Sequence, residues 1–275
     1  MKKTIDLTLS LFRDEEVDAR EHELQVIKNL ITRGATFVIN HSGGKDSQAM
    51  FNLVSNLVPR SQIYVLHAAL GVVEWPGVID HIKATIHGHE LKTCRSRRTL
   101  IEMIKERGMF PSPSMRQCTS DLKRGPIERT IRQSGNKLIV NCMGMRSEES
   151  TNRAKLATFK LSEKNSKNGR EWYDWLPIHH WRLKEVFDFI EESGQKPHYA
   201  YALGMTRLSC AFCIMASKED LTTSAKHNHK VFRIYVDLER ETGHVMVMPT
   251  KGKGKQTLEE ITGVIAKTHQ ELEAA

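Results

Sequence analysis

Cysteine is scarce in this chain: five residues, an odd number, among 275. A secreted disulfide framework is therefore excluded, and a reducing, cytoplasmic setting is expected. Long apolar runs are missing too. Residues 1–30 are interrupted throughout by charge, so they read as neither a signal peptide nor a spanning helix, and no later run is long enough to cross a bilayer. There is no internal repeat. Acid is in deficit, with 33 Asp and Glu against 41 Lys and Arg, and the formal net charge of +8 suits a polyanionic substrate or partner. Solvated surface would account for that excess equally well. A composition of 39% hydrophobic and 27% charged residues describes an ordinary soluble protein able to bury a large core in one or two domains.

Two familiar phosphate-binding patterns are also absent. The Walker A loop requires four residues between its first glycine and a Gly-Lys-Ser/Thr end, and the dinucleotide fingerprint requires G-x-G-x-x-G. Instead, Asn40-His41-Ser42-Gly43-Gly44-Lys45-Asp46-Ser47 follows a β-branched apolar run, Thr36 to Ile39, and precedes apolar residues at helical spacing from Gln48 to Val54. The order strand, glycine turn, helix aims free N–H groups and a positive dipole end at an anion. Ser42 and Ser47 add hydroxyls, and Lys45 adds a point charge.

A second strand is expected over 62–68, a helix opened by Glu74-Trp75-Pro76-Gly77, and a third strand over 137–143. Strand and helix alternating in this way imply parallel pairing. The fold class expected is an open, mostly parallel α/β sheet with helices on both faces, followed by a mainly helical C-terminal region. Three divisions follow: a helical segment over 1–34, a nucleotide-binding α/β domain over 35–200, and a Cys-x-x-Cys segment with C-terminal helices over 201–275. Ligands of such sheets bind beyond the carboxyl ends of the strands, where Ser42–Ser47 and Gly144–Arg146 both fall. A cationic stretch runs from Arg95 to Arg129. Residues 160–171 read as an exposed polar loop, and tail helices are expected over 218–226, 231–240 and 258–272.

Cys210-Ala211-Phe212-Cys213 has the spacing that lets two thiolates grip one metal, although a redox dithiol uses the same pattern. Cys118, with polar neighbours, is the nearest third ligand, whereas Cys142 lies in an apolar strand. Three thiolates suit an iron–sulfur cluster with one iron left for another ligand. His227, His229 or a carboxylate could close the site, and zinc is the alternative metal.

Together these motifs resemble the ATP pyrophosphatase (PP-loop) superfamily, in its phosphoadenylyl-sulfate and adenylyl-sulfate reductase branch. The resemblance spans roughly residues 35–245 and rests on Ser42–Ser47, Glu74-Trp75-Pro76, Cys118-Thr119 with Leu122-Lys123, Gly144-x-Arg146 with Glu149-Ser150, Pro177-Ile178 with Trp181, and Arg207-x-x-Cys210-x-x-Cys213. It implies an adenine nucleotide α-hydrolase-like fold. It also implies nucleotide contacts from Ser42, Gly43, Gly44, Lys45, Asp46, Ser47, Gly144 and Arg146, with Lys45, Asp46 and Arg146 in the chemistry. A 4Fe–4S cluster on Cys118, Cys210 and Cys213 is expected from it. The reductases use a nucleophilic cysteine in a C-terminal Glu-Cys-Gly-Leu-His segment, and no cysteine follows Cys213 here. The pattern is therefore more similar to ATP pyrophosphatases of DNA phosphorothioation. The partners expected are ATP with Mg2+, DNA, a cysteine desulfurase as sulfur donor and, in a homo-oligomer, a second copy of the chain. A sulfonucleotide reductase and a non-catalytic nucleotide- or nucleic-acid-binding subunit are the alternatives.

Overall fold

A computed structural model describes residues 14–249, 252 and 254–273. Six strands form one sheet: β1 (Thr36–Asn40), β2 (Ile63–Ala68), β3 (Leu91–Cys94), β4 (Leu138–Cys142), β5 (Phe159–Leu161) and β6 (Glu171–Trp175), in the order β3-β2-β1-β4-β6-β5. All neighbours pair in parallel except β5, which runs antiparallel to β6. The expected fold class is present, with helices packed on the sheet and a helical C-terminal region.

The central strands are buried on both faces, so Phe37, Val38, Ile39, Ile139 and Val140 read as continuous apolar runs rather than alternating ones. One polar ladder crosses them: Asn40 Nδ2 donates to Asn141 Oδ1 at 2.7 Å, and Asn141 Nδ2 donates to Asp174 Oδ1 at 2.8 Å. It pins the register of β1, β4 and β6, because a slipped strand would leave buried amides without partners.

Helix α1 (Asp14–Thr32) buries Ile27 and Leu30 and is fastened to β6 by Glu23, whose Oε1 accepts from Trp175 Nε1 at 2.8 Å. The part of the expected N-terminal helix that precedes Asp14 lies outside the described residues. Helix α2 (Lys45–Leu57) follows β1 directly, helix α3 (Val78–Thr85) follows the Glu74–Gly77 turn, and helix α4 (Leu100–Arg107) opens the cationic stretch.

Two expectations are corrected. The loop expected over 160–171 is shorter, because Lys160 and Leu161 end β5 and Glu171 begins β6. The tail helix expected over 258–272 stops at Thr262, where Gly263 takes a left-handed conformation (φ 68°) as the cap; a shorter helix resumes at His269. β1 is the switch point of the sheet: the chain departs from it toward β2 on one side and reaches β4 on the other. The crevice outside its carboxyl end is where the candidate site lies.

Candidate functional site

A cavity of about 230 Å³ opens at the carboxyl ends of β1, β2 and β4. Its wall includes Ser42, Gly44, Asp46 and Ser47 from the first loop and Gly144 from the second, joined by His67, Glu74, Lys123, Arg153 and Arg207. Two loops expected to act together are thus in contact. A methyl group on Gly144 would stand 2.8 Å from the Asp46 carbonyl oxygen and 3.1 Å from Ser47 N, so glycine is what allows this approach. Gly43 sits at φ 79°, a conformation favouring glycine, and a Cβ there would meet Val78 at 2.8 Å.

The loop is tightly self-bonded. Ser42 N–H donates to Ser47 Oγ at 3.1 Å, Gly43 N–H to His41 Nδ1 at 3.1 Å, and Lys45 N–H to the Tyr201 hydroxyl at 3.0 Å. The amides of Asp46 and Ser47, second and third in α2, are the helix-end donors this leaves for an anion.

Arg146 is 4% exposed and reaches Asp46, with Nε 2.6 Å from Oδ1; its Nη1 meets Glu148 and lies 3.4 Å from the Trp181 carbonyl. Lys45 stands apart from expectation. Its ammonium is 3.0 Å from Asp46 Oδ2, 3.4 Å from the Thr206 carbonyl and over the Tyr201 ring, and it does not line the cavity. Its placement ties the 201–208 segment to the loop. The cations at the wall are Lys123, Arg153 and Arg207, which sequence reasoning did not single out for this role. They come from three distant segments; Lys123 and Arg207 stand in motifs of the resemblance, but nothing local assigns either to the cavity.

The cysteine segment is stitched to the same wall. Cys210 bridges Glu74 in antiparallel fashion, and Ala211 N–H donates to the Val73 carbonyl at 2.8 Å. Cys118, Cys210 and Cys213 share one electrostatic neighbourhood with Lys123 and with Tyr235, whose hydroxyl is buried without a partner. Burial pushes the Cys210 thiol up to about 11, the Lys123 ammonium pulling the other way. Among the described residues, however, no three Cys, His, Asp or Glu side chains are arranged to hold a metal ion, so the expected cluster or zinc site is not preformed. Neither suggested histidine joins the thiols: His227 is exposed, and His229 faces Lys267 and His227. Cys142 is fully buried in β4, as its apolar setting implied.

His41 is buried beneath the loop and kept uncharged, its pKa lowered to about 3 first by burial and then by His81 and His67. The unfolded chain protonates this group near pH 6.5, so the unfolded state binds more protons between the two values. The stability from His41 is complete above that window and falls with pH inside it, by about 1.4 kcal/mol per pH unit. Urea unfolding at about pH 7.5 and about pH 5 should show His41→Gln with the flatter dependence. Equal slopes would mean His41 is charged in the fold.

No described helix is long and apolar enough to cross a membrane. A family model described as the phosphoadenosine phosphosulfate reductase domain matches residues 36–216. An uncharacterized 37.8 kDa protein of Escherichia phage 186 is 25% identical over 67% of this chain and 68% of its own length. An uncharacterized protein of Methanocaldococcus jannaschii is 23% identical over 74% of this chain but only 41% of its own length. Among solved structures, the phosphoadenylyl-sulfate reductase of Candida auris, a phosphate complex, aligns with a TM-score of 0.49 at 14% identity, covering 72% of this chain and 96% of that one. Candida glabrata FMN adenylyltransferase, with FAD and inorganic pyrophosphate, aligns with a TM-score of 0.41 at 14% identity, covering 64% and 54%. The matched span begins at β1, takes in the Ser42–Ser47 loop, the Gly144–Arg146 loop and the Cys-x-x-Cys segment, and places this chain in the phosphoadenosine phosphosulfate reductase domain family.

Proposed function

We propose that this protein is an ATP pyrophosphatase that moves the adenylyl group of ATP onto a substrate oxygen, so that sulfur can then displace it. One observation carries the reading. The cavity joins helix-end amides, Ser42 and Ser47 to Asp46, which Arg146 pairs from outside the lining, and to three wall cations, and no thiol lines it. Such a wall suits a triphosphate and its departing pyrophosphate better than a cysteine-based reduction. Mg2+ would enter with the triphosphate, and Asp46 and Glu149 are the carboxylates at the loop end of the wall.

The acceptor is nucleic acid in this reading. Arg95, Arg97, Arg116, Arg124 and Arg129 are exposed along the stretch that supplies Lys123, whereas Arg98 is committed to Glu106 and Asp121. DNA phosphorothioation, with sulfur from a cysteine desulfurase, is the modification the resemblance suggests. Incubation with MgATP should release AMP and pyrophosphate. ADP with phosphate would overturn the reading, and binding without turnover would favour a nucleotide-sensing subunit.

The three thiols are the donors for the metal centre we assign to the C-terminal segment, an iron–sulfur cluster before zinc. The chemistry of the set fits: soft sulfur donors, apolar surroundings, and a buried Tyr235 hydroxyl still without a partner. Such a centre ties the segment to the sheet, so binding contributes to folding. Cys118→Ser, Cys210→Ser and Cys213→Ser should each lose most of the metal in anaerobically prepared protein and several degrees of thermal midpoint. Cys94→Ser and Cys142→Ser should keep the metal. Full occupancy in Cys118→Ser would break the three-thiol centre.

A further inference from the structure

A second cavity, of about 80 Å³, opens past the carboxyl end of β3, beside the nucleotide site and outside it. Leu70 lines both cavities. The chain from Ser120 to Arg124 makes a π-helical turn, a widened turn that recurs at functional sites. It too serves both: Leu122 lines the second cavity and Lys123 the first. The floor of the second cavity is apolar, made of the buried Ala69, Leu100 and Leu122. Its rim carries Arg95, Ser96, Arg98 and Thr99.

Two of these rim residues are engaged. Arg98 pairs with Glu106 and Asp121, and Thr99 caps α4 through a reciprocal bond with Glu102. Those pairings also occupy the three nearby carboxylates. Among the described residues, the side chains of Arg95 and Ser96 have no hydrogen-bond or ion-pair partner. The exposed Arg129 acts electrostatically on Cys94, the residue before Arg95, so its charge reaches the same strand end. An unpaired guanidinium and a hydroxyl above an apolar floor suit a phosphate joined to a sugar. With about a third of the first cavity's volume, the second has room for one such link and not for another triphosphate.

We propose that this second cavity holds one phosphodiester link of the nucleic-acid acceptor, with Arg95 and Ser96 on the phosphate and the sugar against the leucines. The inference rests on the nucleic-acid reading above and adds the place where the acceptor strand is gripped. Because Leu70 and the 122–123 step are shared, a strand held in one cavity passes the mouth of the other. The contact is to the backbone, so it positions the strand and reads no sequence.

The test measures binding of a labelled single-stranded DNA oligonucleotide to full-length protein, by fluorescence anisotropy over a range of salt, with Mg2+ and α,β-methylene-ATP present. Arg95→Ala should weaken binding about tenfold and lower the salt slope by about 0.7, the share of one phosphate contact. Arg95→Lys should restore the slope but only part of the affinity, because the planar fork is lost. Ser96→Glu sets a carboxylate at the rim and should weaken binding at least as much as Arg95→Ala. Lys137→Ala, at the amino end of β4, should stay within about twofold. An equal loss in Lys137→Ala would show bulk charge at work and overturn the pocket. Wild-type affinity in Arg95→Ala or Ser96→Glu would overturn it too. A matching loss of α,β-methylene-ATP affinity in Arg95→Ala would give the pocket to the nucleotide, and so would also overturn it. Wild-type protein that binds no DNA overturns the nucleic-acid reading itself, a result distinct from failure of the pocket.

Discussion

Arg146→Ala should cost about a hundredfold in nucleotide turnover and about 3 kcal/mol in unfolding free energy, the low end for breaking a buried ion pair. The guanidinium is nearly inaccessible, and its Nε contact with Asp46 crosses from the β4 loop to the start of α2. Removing it leaves Asp46 with Lys45 as its remaining cation and opens the space beside the Trp181 carbonyl. Arg146→Lys keeps the charge but loses the planar fork, so it should recover part of the stability and little of the rate. Urea unfolding and steady-state pyrophosphate release separate the two effects. If lysine serves as well as arginine in both, the fork has no role.

Gly144→Ala, the smallest change in this series, should be comparably damaging. Its new methyl group would fall at 2.8 Å from the Asp46 carbonyl oxygen, at 3.0 Å from the carbonyl carbon and at 3.1 Å from Ser47 N. All three are backbone atoms, so relief requires the two loops to separate, at a cost of about 1–3 kcal/mol typical of overpacking. The amides displaced are those the proposal assigns to phosphate. ATP affinity should fall at least about tenfold, an effect of the clash alone, because Gly144 is not among the glycines at positive φ. Titration calorimetry with an unhydrolysed ATP analogue reads the difference. Unchanged affinity in Gly144→Ala would remove the loop contact from the account.

The loop from Asn40 to Ser47 was legible because its signals are local: a β-branched run, two glycines and a helical period fall within a few residues. β1, β2 and β4 were legible for the same reason. β3 was not, since Leu91-Lys92-Thr93-Cys94 is short and mixed and is held as a strand by its pairing with β2. β6 was hidden by Glu171 and Asp174, polar residues that the sheet accommodates through Arg33 and Asn141. At the site, the position of Gly144–Arg146 followed from strand topology. The turn of Lys45 away from the cavity did not, because it depends on Thr206 and Tyr201, far along the chain. Lys123, Glu74 and Arg207 stand in motifs visible in the sequence, but their meeting on one wall, beside His67, depends on tertiary structure.

The most direct test of the phosphate-site claim is a structure of the protein with Mg2+ and α,β-methylene-ATP, whose α,β linkage resists cleavage. The account predicts the β- and γ-phosphates against the Asp46 and Ser47 amides, and the α-phosphate turned toward Glu74 and Lys123. A triphosphate bound away from Ser42–Ser47, or one with its γ-phosphate alone facing Glu74, would contradict it.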